Sequence, residues 1–204
     1  MKIAIIDYDA GNLANVVRAA TRAGLDVVVT RDPEEIREAK AMILPGVGAM
    51  KDAMDHLSGY GLKEIIREEV RKGKKLVGIC LGMQALYEVS EEGGEVPALG
   101  LLPGRIAHFP PGDLKVPHMG WNELVMHRPH EVLAGLPPKS YVYFVHSYYK
   151  TPGDSEDIIA SADYGVTVPA VVGKDNVLGF QFHPEKSGPV GLTIWKNLAE
   201  WLQK

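Results

Sequence analysis

Short apolar segments alternate with helix-like segments through the first 90 residues, and this alternation constrains the fold more than any other feature. Continuous apolar runs of this length are typical of buried strands. The runs are KIAIID from Lys2, LDVVVT from Leu25, KAMILPG from Lys40 and KKLVGI from Lys74. Because strands separated by helices pair in parallel through right-handed crossovers, the sequence predicts an α/β fold with a mixed, mainly parallel central sheet flanked by helices.

Helical spacing and terminal residues mark the segments between these strands. Apolar side chains share a face in two of them: Leu13, Val16, Val17 and Ala20, and then Leu62, Ile65, Ile66 and Val70. Asn12 is placed to cap the first helix, and Gly24 to end it. Asp32 followed by Pro33 predicts the start of another helix.

The second half has strand-like segments joined by loops rich in proline and glycine. These segments are GLLPGRIAHF, MGWNELVM, KSYVYFVHSYY and VTVPAVVGKDNVLGFQFHPE, the last with the pattern of a hairpin turning at 174–176. A closing helix has Ile194, Leu198, Trp201 and Leu202 on one face. We expect residues 1–204 to form a single domain whose sheet gains an antiparallel portion, and 90–98 to be its most mobile loop.

Charge and composition exclude several classes of function. The net charge of −4 does not favour binding to nucleic acid or to an anionic membrane. No stretch approaches the roughly 18–20 apolar residues of a membrane span, and acidic residues follow the first apolar run too closely for a signal peptide. The single cysteine, Cys80, cannot form an internal disulfide, so we expect a cytoplasmic protein.

That cysteine lies in Gly78–Gly82 (GICLG), which has the glycine-x-nucleophile-x-glycine form of a nucleophile elbow. The nucleophile of an elbow sits on a strained turn between strand and helix, and the flanking glycines avoid a clash there. The start of the following helix favours the reactive thiolate, and the backbone N–H of Leu81 would point at an anion formed on an attacked carbonyl. Alone, the motif fits a small buried cysteine on a glycine-rich turn equally well.

A thiol nucleophile needs a general base, and the base needs a group that orients it. Among the seven histidines, His183 stands out because it lies in GFQFHPEKSG, two residues before Glu185. In an extended segment both side chains project from one face, so the carboxylate can hold the imidazole. Pro184 between them suits the end of a strand. H-P-E alone is typical of a surface loop, but together with the thiol elbow it favours a catalytic pair.

A third motif, LPGVGAM at 44–50, follows the third predicted strand. Gly46 and Gly48 let backbone amides approach a ligand. The motif lacks the third glycine of a dinucleotide fingerprint and the G-K-[ST] of a phosphate loop. Because we expect its strand beside the elbow strand, we interpret it as a source of a second oxyanion donor, with a plain tight turn as the alternative.

With these motifs, the chain resembles the triad (class I) glutamine amidotransferases. GICLGMQ resembles that family's nucleophile motif, and FQFHPEKS resembles its His/Glu motif. Six segments occur in the order seen in one branch, the glutaminase subunits of imidazole glycerol phosphate synthase in histidine biosynthesis: DYDAGNL, LPGVGAM, GICLGMQ, HMGWNEL, YFVHSYY and FQFHPEKSG. The match runs from Asp7 to Gly188.

The resemblance implies glutamine hydrolysis through a Cys-His-Glu triad, and we expect no cofactor and no metal. Cys80 would attack the side-chain amide, His183 would carry the proton to the leaving ammonia, and Glu185 would orient His183. Water would then release glutamate from a γ-glutamyl thioester. The oxyanion hole would be formed at Gly46, Val47 and Leu81, through the amides of the last two. The positions that would hold glutamine are Gln84, Glu92, Ser147 and Tyr148.

The resemblance also implies a heterodimer with a (β/α)8-barrel cyclase subunit, because ammonia near neutral pH would mostly protonate unless it travels sheltered. The barrel would use ammonia in a lyase reaction that gives imidazole glycerol phosphate and an aminoimidazole carboxamide ribotide. A barrel alone needs roughly 200 or more residues, so we expect its chemistry to lie on another chain. Asn12, Trp121 and Lys186 are interface candidates, and their alternatives are a helix cap, a core tryptophan and a solvated lysine.

Two other functions stay open at this point. One is another free-standing class I amidotransferase, such as the pyridoxal phosphate synthase glutaminase, which has Gly-Gly-Glu-Ser where this chain has Pro45–Gly48. Carbamoyl-phosphate and anthranilate amidotransferases often have histidine where this chain has Met83. The other is a non-catalytic module of the same fold, which would need a broken triad. We expect weak activity from the isolated chain, because Gly46 allows the Gly46–Val47 peptide to face away at rest.

Overall fold

The computed structural model describes residues 2–151, 153 and 156–204. The strands are β1 Ile3–Ile6, β2 Val27–Thr30, β3 Ala41–Leu44, β4 Lys75–Ile79, β5 Val89–Ser90, β6 Val96–Pro97, β7 Arg105–His108, β8 His118–Glu123, β9 Val125–Met126, β10 Tyr141–His146, β11 Tyr148–Lys150, β12 Ile158–Asp163, β13 Thr167–Lys174 and β14 Val177–Phe180. The α-helices are α1 Leu13–Arg22, α2 Pro33–Glu38, α3 Met50–Gly59, α4 Leu62–Arg71, α5 Leu81–Gln84 and α6 Gly188–Gln203. Short 3-10 turns lie at Glu131–Leu133 and Pro184–Lys186.

The main sheet confirms the mixed, mainly parallel architecture predicted from the sequence. Within the described residues it has eight strands in the order β2-β1-β3-β4-β14-β13-β12-β9. The strands from β2 through β14 pair in parallel, and β13, β12 and β9 add the antiparallel portion. The predicted hairpin is the β13–β14 pair, which turns between Lys174 and Val177.

Smaller sheets build one flank of the molecule from the second half of the chain. β8 pairs with β10, and a separate sheet has the order β11-β7-β5-β6. The predicted strand MGWNELVM is therefore split, since β8 and β9 belong to different sheets on either side of Leu124. The segment predicted to be a mobile loop begins in β5 and includes β6.

The core lies on both faces of the main sheet because side chains alternate along each strand. In β1, Ile3 and Ile5 join the cluster under α1 and α6, whereas Ala4 and Ile6 join the cluster under α2, α3 and α4. The sheet is thus a middle layer between two layers of helices, and its strand ends remain free to form a site. None of the helices in the described part of the chain is both long and apolar enough to cross a membrane.

The N-terminus of α2 is capped as the sequence predicts, whereas that of α1 is not. The Asp32 side chain accepts hydrogen bonds from the backbone of Glu34 and Glu35, as an N-cap should. The prediction that Asn12 caps α1 is wrong, because its side chain makes no cap hydrogen bond. Capping requires an extended backbone, and Asn12 has φ 73 and ψ 7 in the left-handed region.

Candidate active site

The candidate site lies where three neighbouring parallel strands end. β4 is hydrogen-bonded to β3 on one side and to β14 on the other. Cys80 follows β4, the glycine-rich loop follows β3, and His183 comes three residues after β14. Since the carboxyl ends of parallel strands meet at one edge, three motifs far apart in sequence come together there.

Cys80 has the strained backbone of a nucleophile elbow. Its φ of 55 and ψ of −111 are unusual for any residue other than glycine. Both flanking glycines are required by packing. A Cβ on Gly82 would overlap the carbonyl oxygen of Leu44 and lie 2.8 Å from its carbon, and one on Gly78 would lie 2.7 Å from the Met83 nitrogen.

His183 and Glu185 form a buried hydrogen-bonded pair. Nδ1 of His183 donates to Oε1 of Glu185 at 2.7 Å, and the two side chains are 1% and 0% exposed. The contact is as predicted, but its geometry is not that of a straight extended segment. His183 is extended, whereas Glu185 lies in the 3-10 turn Pro184–Lys186, because proline favours the first position of such a turn.

The hydrogen bond to Glu185 sets the tautomer of His183 and leaves Nε2 to face the thiol. Nε2 is buried, and it has no hydrogen-bond partner of ordinary length within the described residues. Burial alone would lower the pKa of His183, but the interactions with Cys80 and then with Glu185 outweigh it and raise the pKa to about 9. The geometry and charge therefore favour the imidazolium form of His183 at neutral pH.

We predict that the imidazole of His183 titrates near pH 9, well above its ordinary pKa of about 6.5. Because the raised pKa means that the protonated form is stabilised in the folded state, this contribution is complete below pH 6.5 and is lost as the pH rises through about 9. Replacing Cys80 with alanine removes the main partner and lowers the pKa. ¹⁵N NMR of the His183 side chain measures its titration in the unmodified protein and in C80A. An unchanged pKa in C80A would contradict the pairing of His183 with Cys80.

A cavity of about 290 Å³ opens over this pair. Its lining includes Val47, Cys80, Leu81, Gln84, Glu92 and His183. The cavity thus joins the elbow, the glycine-rich loop and the histidine in one space. A larger cleft of about 540 Å³ lies at the other end of β4 and β14, beside Arg67 and Lys174. Its lining has no thiol, hydroxyl or imidazole side chain, so we place the candidate chemistry in the smaller cavity.

The predicted glutamine-binding positions also line this cavity. Ser147 and Tyr148 form one wall. Gln84 is buried, and its Nε2 donates to the carbonyl oxygen of Tyr148 at 2.8 Å and to Oε1 of Gln181 at 3.0 Å. Glu92 faces the cavity from the segment 90–98, and its Oε2 accepts a hydrogen bond from the Met50 backbone at 2.9 Å. Burial raises the pKa of Glu92.

The Gly46–Val47 peptide lies with its carbonyl toward the elbow. The N–H of Leu81 donates to the carbonyl oxygen of Gly46 at 3.3 Å. Since the C=O and N–H of a trans peptide point in opposite directions, the Val47 N–H is turned away from that of Leu81. The structure therefore has the orientation expected of a resting state, in which the two predicted oxyanion donors do not converge.

The three interface candidates lie in different surroundings. Trp121 is 57% exposed, so the alternative of a core tryptophan is wrong. Lys186 is exposed beside the triad. Asn12 is half-buried, and its Nδ2 donates to Oε1 of Glu185 at 2.6 Å. Asn12 thus contacts the carboxylate of Glu185 within the same chain.

Several residues that shape the site were not singled out by the sequence. The hydroxyl of Tyr8 donates to the carbonyl oxygen of Pro45 at 2.6 Å and so holds the start of the glycine-rich loop. A side chain on Gly46 would overlap that hydroxyl, so packing also requires this glycine. Gln181 approaches the Cys80 sulfur at 4.0 Å. Tyr8 lies in the motif DYDAGNL and Gln181 in FQFHPEKSG. Their positions inside these motifs are the sequence feature that could have identified them as site residues.

Comparison with known families agrees with this geometry. The family described as glutamine amidotransferase class-I matches residues 4–199. A solved structure described as a glutamine amidotransferase superposes with a TM-score of 0.76 at 23% identity, covering 98% of this chain and 100% of that chain, a likeness of fold alone. The chain belongs to the class-I glutamine amidotransferase family.

Curated relatives define the particular group within this class. Imidazole glycerol phosphate synthase subunit HisH of Geobacillus kaustophilus is 52% identical over 96% of this chain and 94% of the relative. The subunit of the same name in Bacillus subtilis is 51% identical over 94% of this chain and 92% of the relative. Within its class, the chain belongs to this HisH family.

Proposed function

We propose that this chain hydrolyses glutamine to glutamate and ammonia as the glutaminase subunit of an imidazole glycerol phosphate synthase. The observation that carries the proposal is the elbow geometry of Cys80 on a strand directly beside the one that leads to the His183–Glu185 pair. HisH relatives that are 52% and 51% identical over nearly the whole chain support it. An intact triad argues against a non-catalytic module of the same fold.

The first half of the reaction forms a thioester. The Cys80 sulfur attacks the side-chain amide carbon of glutamine, the C–N bond breaks, and the proton on Nε2 of His183 passes to the leaving ammonia. Glu185 keeps Nδ1 protonated throughout and stabilises the imidazolium. In the second half, the neutral Nε2 takes a proton from water, the water oxygen attacks the thioester carbon, and the C–S bond breaks to release glutamate.

The oxyanion that forms in each half needs two backbone donors. Leu81 supplies one from the start of α5, but its N–H is bonded to the Gly46 carbonyl in the resting arrangement. Rotation of the Gly46–Val47 peptide frees that N–H and turns the Val47 N–H toward the cavity. We infer that the partner subunit and its bound nucleotide stabilise the rotated form, so that ammonia is made mainly when it can be used.

The partner in this proposal is a (β/α)8-barrel cyclase subunit, which takes up ammonia and produces imidazole glycerol phosphate and an aminoimidazole carboxamide ribotide. An exposed apolar patch suits such a partner: Met119 and Trp121 on β8 are 61% and 57% exposed, and Tyr141 on β10 is exposed beside them. Aromatic residues in such patches often anchor interfaces. Lys186 is exposed and follows Glu185 directly, and it would pair with an acidic side chain on the barrel.

Mixing the purified chain with a candidate cyclase subunit tests the proposal. Glutamate release is measured for the isolated chain, for the mixture, and for the mixture with the phosphoribulosyl imidazole-carboxamide nucleotide. We expect weak release from the chain alone and a rise of about 10²-fold or more with partner and nucleotide, the usual value of an oxyanion donor. No glutamate under any of these conditions would refute the proposed function.

Replacing Val47 with proline removes the second oxyanion donor, because proline has no N–H. We predict that glutamine turnover in the activated complex falls by about 10²–10³-fold in V47P. V47A keeps the N–H and is the matched control. Because the N–H is turned away at rest, the two isolated variants should have similar basal rates. Equal turnover of V47P and V47A in the activated complex would show that this amide is not used.

A further inference from the structure

A chain of side-chain hydrogen bonds leads from the wall of the candidate glutamine cavity into the β8–β10 sheet. His146 and His118 are directly opposite each other in the antiparallel register of these strands. Nδ1 of His146 lies 2.8 Å from the carbonyl oxygen of Tyr148, and its Nε2 lies 2.9 Å from Nδ1 of His118. Nε2 of His118 lies 3.1 Å from Nδ2 of Asn122.

Backbone groups at both ends set the direction of this chain. The oxygen of the Asn122 side chain accepts from the Glu123 N–H at 2.8 Å, and its nitrogen donates to the Asp163 carbonyl at 2.8 Å. The amide nitrogen therefore faces His118, whose Nε2 accepts. At the other end, the Tyr148 carbonyl can only accept, so Nδ1 of His146 must carry a proton.

Only one assignment satisfies both ends with neutral rings. His118 donates from Nδ1 to Nε2 of His146, and His146 donates from Nδ1 to Tyr148. Adding a proton to either ring would place two hydrogen-bond donors against each other and break this series of hydrogen bonds. The His118 ring is also held by stacking between Phe144 at 4.5 Å and Tyr164 at 4.1 Å between ring centroids.

This series of hydrogen bonds ends at the part of the cavity that the proposed function assigns to glutamine. The Tyr148 carbonyl accepts from His146 and from Gln84, so two buried side chains fix this peptide. We propose, resting on the proposed function, that His118 and His146 are positioning residues: they hold the Ser147–Tyr148 wall for glutamine and keep the imidazole at that wall uncharged beside His183.

The charge on this wall matters because His183 is the cation of the site. The titratable side chains that share the cavity with His146 are Cys80, Glu92, Tyr148 and His183. Tyr164 stacks on His118 and donates its hydroxyl to the Lys115 carbonyl. We call the hydrogen-bonded series from Tyr148 through His146 and His118 to Asn122 the relay. Among the described residues, no carboxylate hydrogen-bonds to either of its histidine rings.

The same surroundings keep both relay histidines neutral. Burial lowers the pKa of His118 to about 4 and, with smaller effects from His118 and His183, that of His146 to about 3. A second imidazolium is therefore kept away from the imidazolium of His183. This separates the two kinds of histidine in the site, one that transfers protons and two that hold hydrogen bonds.

Substitutions along the relay test the inference in the complex with the cyclase subunit. His118→Leu removes the donor to His146, and we expect the KM for glutamine to rise about tenfold while kcat changes less than about threefold, because the wall binds substrate and transition state alike. His118→Asn keeps a donor at the δ position and should recover most of the affinity. His127→Leu, outside the relay, is the matched control and should leave KM unchanged.

A spectroscopic measurement on the unmodified chain keeps the test independent of folding and of activity. Long-range ¹H–¹⁵N spectra should show His118 and His146 as neutral Nδ1-protonated tautomers that do not titrate between pH 8 and about 5.5. Titration of either ring in that range, an Nε2-protonated tautomer, or an unchanged KM in folded H118L would overturn the inference. An inactive wild-type complex would instead refute the proposed glutaminase function, whatever the spectra show.

Discussion

Replacing Cys80 with alanine will abolish glutamine-dependent synthesis in the complex while ammonia-dependent synthesis continues. In the proposed mechanism the sulfur is the atom that bonds to the amide carbon, and loss of an enzymatic nucleophile lowers turnover by at least about 10⁴-fold. Alanine is close to cysteine in size, so the elbow and the cavity around Gln84 and Tyr148 are kept. Glutamate release and product formation are measured side by side, with glutamine or with an ammonium salt as the nitrogen source.

Ammonia-dependent synthesis is the internal control in this experiment, because in the proposed complex it uses only the partner subunit. Its retention in C80A would show that the variant does not damage the barrel or its chemistry. Glutamine turnover above about 1% of the wild-type rate would mean that the nucleophile lies elsewhere. Loss of both activities would point to a failure of assembly, which a sedimentation measurement on the mixture would detect.

Replacing Gly82 with alanine will destabilise the fold itself. The new Cβ would overlap the carbonyl oxygen of Leu44, a backbone atom of the neighbouring strand β3 that cannot rotate away. Overpacking of this kind costs about 3 kcal/mol in free energy of unfolding, and the shift would also move the Leu81 N–H from the elbow. Urea denaturation followed by circular dichroism measures the change.

Gly59, the last residue of α3, provides the matched control for this substitution. A Cβ there would meet no atom within 4 Å, so G59A should be neutral or stabilise the protein by up to about 1 kcal/mol. Equal stability of G82A and G59A would contradict the packing explanation for the elbow glycine. G82A is also expected to lose glutaminase activity, whereas G59A should keep it.

The sequence predicted the part of the fold that depends on local patterns. Apolar runs located β1 to β4, and a proline after Asp32 located α2. Helix α3 was not among the predictions, although Met50, Ala53, Met54 and Leu57 recur at helical spacing and are buried. Helix α3 begins at Met50, the last residue of LPGVGAM, so the glycine-rich motif overlaps the start of its helical period.

The pairing of strands in the second half could not be predicted, because register depends on contacts between distant segments. MGWNELVM looks like one strand, but its two parts join different sheets. The same limit hid the His118–His146 pair. The two histidines are 28 residues apart, and only the antiparallel register of β8 and β10 brings their rings into contact.

The site was predictable in composition but not in conformation. The motifs identify Cys80, His183 and Glu185 by residue type and spacing, and the neighbouring strands bring them to one edge. The turn that carries Glu185 and the left-handed backbone of Asn12 depend on packing around the triad. The orientation of the Gly46–Val47 peptide is also beyond the sequence, since glycine permits both orientations.

Direct detection of the γ-glutamyl thioester is the most decisive measurement for this molecule. The complex is mixed with glutamine and nucleotide, quenched in acid within one turnover, digested, and examined by mass spectrometry. We predict one γ-glutamyl group on the peptide that contains Cys80, lost on longer incubation and absent from C80A. Steady glutamate release with no adduct on that peptide, or with an adduct on another side chain, would contradict the Cys80–His183–Glu185 mechanism.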